Sequence, residues 1–141
     1  MSEIQVEEKI DFSKFGKAFQ EKIVHLMVDD RAFCDQVREV LNVNYLETKY
    51  LQVMVQKLFD HKDKFEIHPG HSTIATVLRT ELDEETEITQ KQVRDFFARV
   101  QSTPVVEDAE YVKQTSLEFC KKQNSSDVCL TYSASSTTGV D

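Results

Sequence analysis

Glycine and proline are scarce in this chain of 141 residues, at three and two. Turn-rich β architectures draw heavily on both, so helices are favoured from the outset. The glycines, Gly16, Gly70 and Gly139, also exclude particular chemistry. Neither GxxxxGK[ST] nor GxGxxG can be written with them, and a phosphate cradle needs the close backbone approach that such glycines allow. Nucleotide hydrolysis at a P-loop is therefore excluded. Tryptophan is absent, and cysteines number three. Cys34, Cys120 and Cys129 are too few and too widely spaced for a disulfide framework or a CxxC metal pair, which points to a reducing compartment. The N-terminus lacks the basic start and apolar run of a signal peptide, and no apolar stretch approaches transmembrane length. The expected location is cytoplasmic, away from membranes.

What is present is a globular payload. Hydrophobic residues make up 40% of the chain, with nine Phe and four Tyr, too much for a disordered polymer. The net charge of -8 argues against the lysine- and arginine-driven counterion release that underlies a strong grip on a phosphate backbone. No strong direct nucleic-acid binding is expected.

Apolar spacing then sets out six helices. Phe12, Phe15, Phe19, Ile23 and Met27 recur every three or four residues, one face of a first helix. Asp29-Asp30 stops it and caps a second, which carries Phe33, Val37 and Val40 to about Leu41. Asn44 is placed to cap a third, over residues 45–64. Its two apolar stripes, Leu46, Tyr50, Val53, Met54, Leu58 and Leu51, Val55, Phe59, predict a position at the bundle centre. Pro69-Gly70 breaks the chain, and Ser72 is placed to cap a fourth helix with Ile74, Val77, Leu78 and Leu82. Residues 81–87 read as a solvated acidic loop. Thr89 is the expected cap of a fifth helix with Val93, Phe96, Phe97 and Val100 on one side. After Ser102-Thr103-Pro104, a sixth begins near Glu107-Asp108 and ends near Lys121-Lys122, with charges that suit the helix dipole at each end.

The expected fold is all-α, a small helical bundle head followed by a C-terminal two-helix hairpin. Residues 1–12 read as a flexible lead-in and 13–123 as one domain, with the head at about 13–83 and the hairpin at about 89–123. Residues 124–141 read as a Ser/Thr-rich flexible tail.

No group of residues stands out as catalytic, cofactor-binding or metal-binding. His68 and His71 flank the Pro69-Gly70 turn, but a metal site needs three or four ligands, and His61 would join them only through the fold. They read as bland polar loop residues. His25 reads as a core histidine, and Cys34 and Cys120 as small hydrophobes. Glu84-Glu85 lie in a loop that cannot hold them in a catalytic geometry. Surplus apolar surface is more informative. At about 100° per residue, Ala109, Val112, Ser116 and Phe119 share one face of the sixth helix. Leu117 then lies about 140° from that stripe and Tyr111 about 100° off its other side, both candidates for contact with a partner. Phe97 is a third candidate, because it and Phe96 cannot both face the hairpin seam; core packing against the head is the plainer reading of the pair.

Particular runs suggest a family. Phe19-Gln20-Glu21-Lys22-Ile23, Asp30-Arg31-Ala32-Phe33, Tyr45-Leu46 and Lys49-Tyr50-Leu51 follow in order. They lead to Glu107-Asp108-Ala109-Glu110-Tyr111-Val112-Lys113 and Glu118-Phe119-Cys120-Lys121-Lys122-Gln123. Over residues 15–123 the chain resembles the N-terminal domain of DnaB-type hexameric replicative DNA helicases, especially phage-like ones. The resemblance implies a helical head and a hairpin that pairs with a neighbouring subunit's. Such domains form a collar above the ATPase ring and offer a docking face to primase or a helicase loader. It implies a homo-oligomer, dimer or larger ring, with Phe97, Tyr111 and Leu117 at or near the subunit contacts. It also implies a non-catalytic role, since the family's P-loop lies in a RecA-like motor that these 141 residues do not contain. The chain then reads as a fragment of a helicase frame or, alternatively, as a standalone helical adaptor that regulates a helicase or primase.

Overall fold

The computed structural model describes residues 11–132, with side chains as far as Asn124. Most of the expected lead-in, the end of the expected tail and the Cys129 side chain lie outside the described residues. Among those described the chain is all-α, with six α-helices and no strand.

The first apolar face does not belong to one continuous helix. A 3-10 turn at Ser13–Phe15 is followed by Gly16 at φ 90°, ψ 163°, a region that residues with a Cβ rarely enter. Helix α1 then runs over Lys17–Asp29. Phe12, ahead of the break, is nonetheless fully buried, because the turn folds it back against the bundle. The stop at Asp29-Asp30 is as the sequence implies. Asp30 leaves the helix in an extended conformation, and its carboxylate accepts from the Phe33 amide at 3.0 Å to open α2, Arg31–Arg38. That cap satisfies one of the four amides a helix start leaves unpaired.

Elsewhere the capping residues shift. Asn42, not Asn44, caps a 3-10 turn at Val43–Tyr45, accepting from the Asn44 amide at 2.9 Å. Helix α3 follows only at Lys49–Phe65. Gly70, not Ser72, precedes α4, His71–Thr80. Thr86, not Thr89, caps α5, Glu87–Ser102. Its hydroxyl accepts from the Thr89 amide and donates to the Thr89 hydroxyl, both at 3.1 Å, so the two threonines act together. Helix α6 spans Ala109–Tyr132, well past Lys121-Lys122, so the first part of the expected flexible tail is helix. No glycine or proline stands between Pro104 and Gly139 to break it.

The packing places α1 at the middle. Ile23, Val24, His25, Leu26, Met27 and Val28 are buried in succession, so every side of the helix is covered. It lies against α2, α3 and α6, while α3 lies between α1 and α5. The two expected stripes of α3 are covered, with Leu46 ahead of the helix and Phe59 only partly buried, while α1 has three principal helical neighbours to the two of α3. The principal neighbours of α5 are α3 and α4, and those of α6 are α1 and α2. The last two helices thus dock on different parts of the bundle and do not form a hairpin that stands apart from a head.

Gly16 and Gly70 separate two backbone situations. Neither has an atom within 4 Å of where a Cβ would sit, and only Gly16 has positive φ. Gly16→Ala is expected to destabilise the fold by about 1–3 kcal/mol through backbone strain. Gly70→Ala, at φ −83°, is expected to be neutral or to stabilise by up to about 1 kcal/mol. Urea unfolding of both variants checks this; equal midpoints would remove strain at Gly16 from the account.

Candidate functional site

Two of the four histidines, the first place to look for chemistry, tie separate elements together: His68 and His71. Asp29, at the end of α1, receives two imidazoles on separate oxygens: His25 Nε2 to Oδ2 at 3.2 Å and His71 Nε2 to Oδ1 at 2.6 Å. His71 opens α4, so this carboxylate joins the first helix to the fourth. His68 reaches back across the bundle, with Nε2 at 2.8 Å from the Val28 carbonyl and Nδ1 at 3.4 Å from Lys62 Nζ. An ammonium only donates and a carbonyl only accepts, so the tautomer that satisfies both carries its proton on Nε2. Lys62, with its side chain only 6% exposed, also pairs with Asp35 at 2.7 Å. That pairing, chiefly through the hydrogen bond, holds the Asp35 carboxyl below its ordinary range. The sequence reading of His68 and His71 as bland loop residues misses this network, which depends on partners 40 and 42 positions away. Among the described residues no group of three His, Cys, Asp or Glu side chains is placed to hold a metal ion.

The two cysteines with described side chains, Cys34 and Cys120, are equally occupied with packing. Burial raises the Cys34 thiol to about 11 and the Cys120 thiol to about 12, which keeps both protonated near neutrality.

Three further polar residues escape a reading of periodicity. Gln20 is buried in α1; its amide nitrogen lies within 3.3 Å of the Phe12 and Gly16 carbonyls and the Glu47 carboxylate, while its oxygen accepts from the Glu47 amide at 2.8 Å. It closes the 3-10 entry and the start of α3 onto α1. Glu21 accepts from the Tyr50 hydroxyl and from Arg99 at 2.8 Å, joining α1, α3 and α5. Burial and the neighbouring Glu21 push the Tyr50 hydroxyl upward. Lys113, on α6, donates to the capping carboxylate of Asp30 at 2.9 Å.

The three candidate contact residues fare differently. Phe97 is buried, 4% exposed, with its ring 5.5 Å from that of His71. It belongs to the core and offers no surface, so its place among the contacts is withdrawn; the plainer reading is the right one. Leu117 is half-buried and packs on the core, while Tyr111 is 61% exposed. The inner face of α6 is the buried row of Val112, Ser116 and Cys120, and from its centre Leu117 lies about 100° and Tyr111 about 140° away. Leaving Cys120 off that face placed Leu117 too far from the core and Tyr111 too near it.

Tyr111 closes a cluster of rings. Phe12 is surrounded by Phe15, Phe19, Tyr45 and Phe119 at centroid distances of 4.7–6.4 Å, and Tyr111 meets Phe19 edge-on at 6.2 Å. Phe15, Phe19 and Phe119 are only partly covered, so the core opens to the surface along this side of α1 and α6. Comparison with family models, curated proteins and solved structures gives no match for the chain.

Asp30 gives this region a pH dependence. The Lys113 hydrogen bond, then that of the Phe33 amide, holds its carboxyl below the usual range. A carboxylate depressed in the folded state stabilises fully above its unfolded value, about 4, and that contribution is lost as pH falls through the lower folded value. Asn caps helices as well as Asp does but cannot pair with Lys113. Asp30→Asn is therefore expected to flatten the acid limb of thermal midpoint against pH. An acid limb as steep as the wild type's would show that Asp30 contributes nothing there.

Proposed function

We propose that this chain is a non-catalytic helical interaction domain, of the kind that forms the N-terminal collar of a DnaB-type replicative DNA helicase. In that role it assembles with copies of itself and offers a docking face to primase or a helicase loader. The observation that carries the reading is the ring cluster that opens to the surface at Tyr111, beside partly covered Phe15, Phe19 and Phe119. Aromatic side chains at a surface gain most from burial against a partner and dominate the energetics of many interfaces. The runs of residues that resemble the helicase domain support the same role and include Phe19, Tyr111 and Phe119 themselves. Polar groups that could have formed a reaction centre, His68 and His71 among them, instead tie separate elements together, which suits a scaffold.

Contact through α6 is assigned to Tyr111, with Leu117 contributing at most an edge and Phe97 nothing. Light scattering across a concentration series is expected to show association that grows with concentration. Tyr111→Ser should weaken it by about tenfold or more in dissociation constant, as loss of a central aromatic does. The thermal midpoint should stay unchanged, since the side chain is exposed. A monomer at every concentration, or association of Tyr111→Ser equal to the wild type, would overturn pairing through this face.

A further inference from the structure

A second surface has the form of a binding groove. Among the described residues one side of α3 lies open: Lys49, Gln52, Gln56 and Asp60 follow one another at helical spacing, with Val53 and Lys57 beside them and Asn124 of α6 at the edge. They floor an open groove of about 900 Å³. From Lys49 to Asp60 the floor is about 17 Å long at the helical rise per residue, room for about five residues of extended chain. One bank is the irregular link between α2 and α3, which includes Glu39; the other is the loop ahead of α5, with Glu84 and Glu85.

The groups in this groove have one character. Glu39, Glu84 and Glu85 make no ion pair with any described residue. Gln52 turns its amide nitrogen to the Leu46 carbonyl at 2.7 Å, and Gln56 turns its own to Asp60 at 3.0 Å. Each amide keeps its carbonyl oxygen and a second N–H on offer. The excess is one of charge: four carboxylates, Glu39, Asp60, Glu84 and Glu85, stand against the two ammoniums of Lys49 and Lys57. A groove between acidic banks complements a ligand rich in donors and positive charge. Guanidinium groups fit best, because they present several donors in a fixed plane and match carboxylates pairwise. A second copy of this chain, itself at -8, and a nucleic acid are both repelled by these banks.

We propose that the α3 groove docks an arginine-rich segment of a partner protein, held between Glu39 on one bank and Glu84 and Glu85 on the other. The proposal rests on reading the chain as an interaction domain and names a surface distinct from the Tyr111 face. The test uses the full chain and a fluorescein-labelled oligo-arginine peptide at low salt, with oligo-glutamate and oligo-serine peptides of equal length as controls. Binding of the arginine peptide alone is expected, with amide shift changes in the NMR spectrum gathered at Gln52, Gln56 and the banks. The triple variant Glu39→Gln, Glu84→Gln, Glu85→Gln should lose about tenfold in affinity, as three exposed charge pairs allow. A control that removes equal charge elsewhere, Glu107→Gln, Glu110→Gln, Glu118→Gln, should lose less than about twofold, since screening limits the reach of distant charges. Equal losses in the two triples, shift changes away from α3, or no binding at low salt would overturn the groove. Light scattering on the same samples keeps this outcome separate from that of self-association, which depends on Tyr111.

Discussion

The structure depends on covering α1 on every side. Six consecutive residues, from Ile23 to Val28, are buried, and a helix in that state needs neighbours around its whole circumference. Helices α2, α3 and α6 supply them. This requirement separates the last two helices: α6 is drawn to α1 and α2, while α5 closes the far side of α3 together with α4. A hairpin in which the two faced chiefly each other would leave part of α1 bare, at a cost that grows with the apolar area exposed.

Polar side chains then fix the geometry that apolar packing leaves loose. Gln20 ties the entry turn and the start of α3 to α1, Asp29 holds the start of α4, and Lys113 anchors α6 on the cap of α2. Each of these three groups finds a partner on another element, which makes the arrangement specific as well as stable. The same economy bears on function. His25, His68, His71, Cys34, Cys120 and the Lys62–Asp35 pair are occupied internally, whereas the aromatic opening by Tyr111 and the acidic face of α3 are exposed.

Much of this was legible in the sequence. The six helices, the Asp30 cap, the exposed acidic stretch after α4 and the covering of both α3 stripes follow from spacing, because a helix repeats its faces at a fixed local period. Caps were less legible. Asn42 and Thr86 each compete with a nearby residue of the same type, and the choice depends on which backbone amides the neighbouring packing leaves free. Of the surface candidates, Tyr111 is exposed as its spacing implies, whereas Phe97 points inward to α4 and Leu117 is half covered. The α3 groove was invisible, since its banks come from segments far apart in sequence, around Glu39 and around Glu84 and Glu85.

The sequence by itself determined the all-helical class, the absence of a P-loop and the acidic character of the chain, because these depend on composition and on periods of a few residues. Only the tertiary structure decided that α1, not α3, has the most neighbours, that α5 and α6 part company, and which of three apolar side chains reaches the surface. Those outcomes turn on contacts between residues tens of positions apart and on rotations of a helix by a fraction of a turn. No local pattern carries information of that kind, since the same stripe of apolar residues is satisfied by any neighbour that covers it.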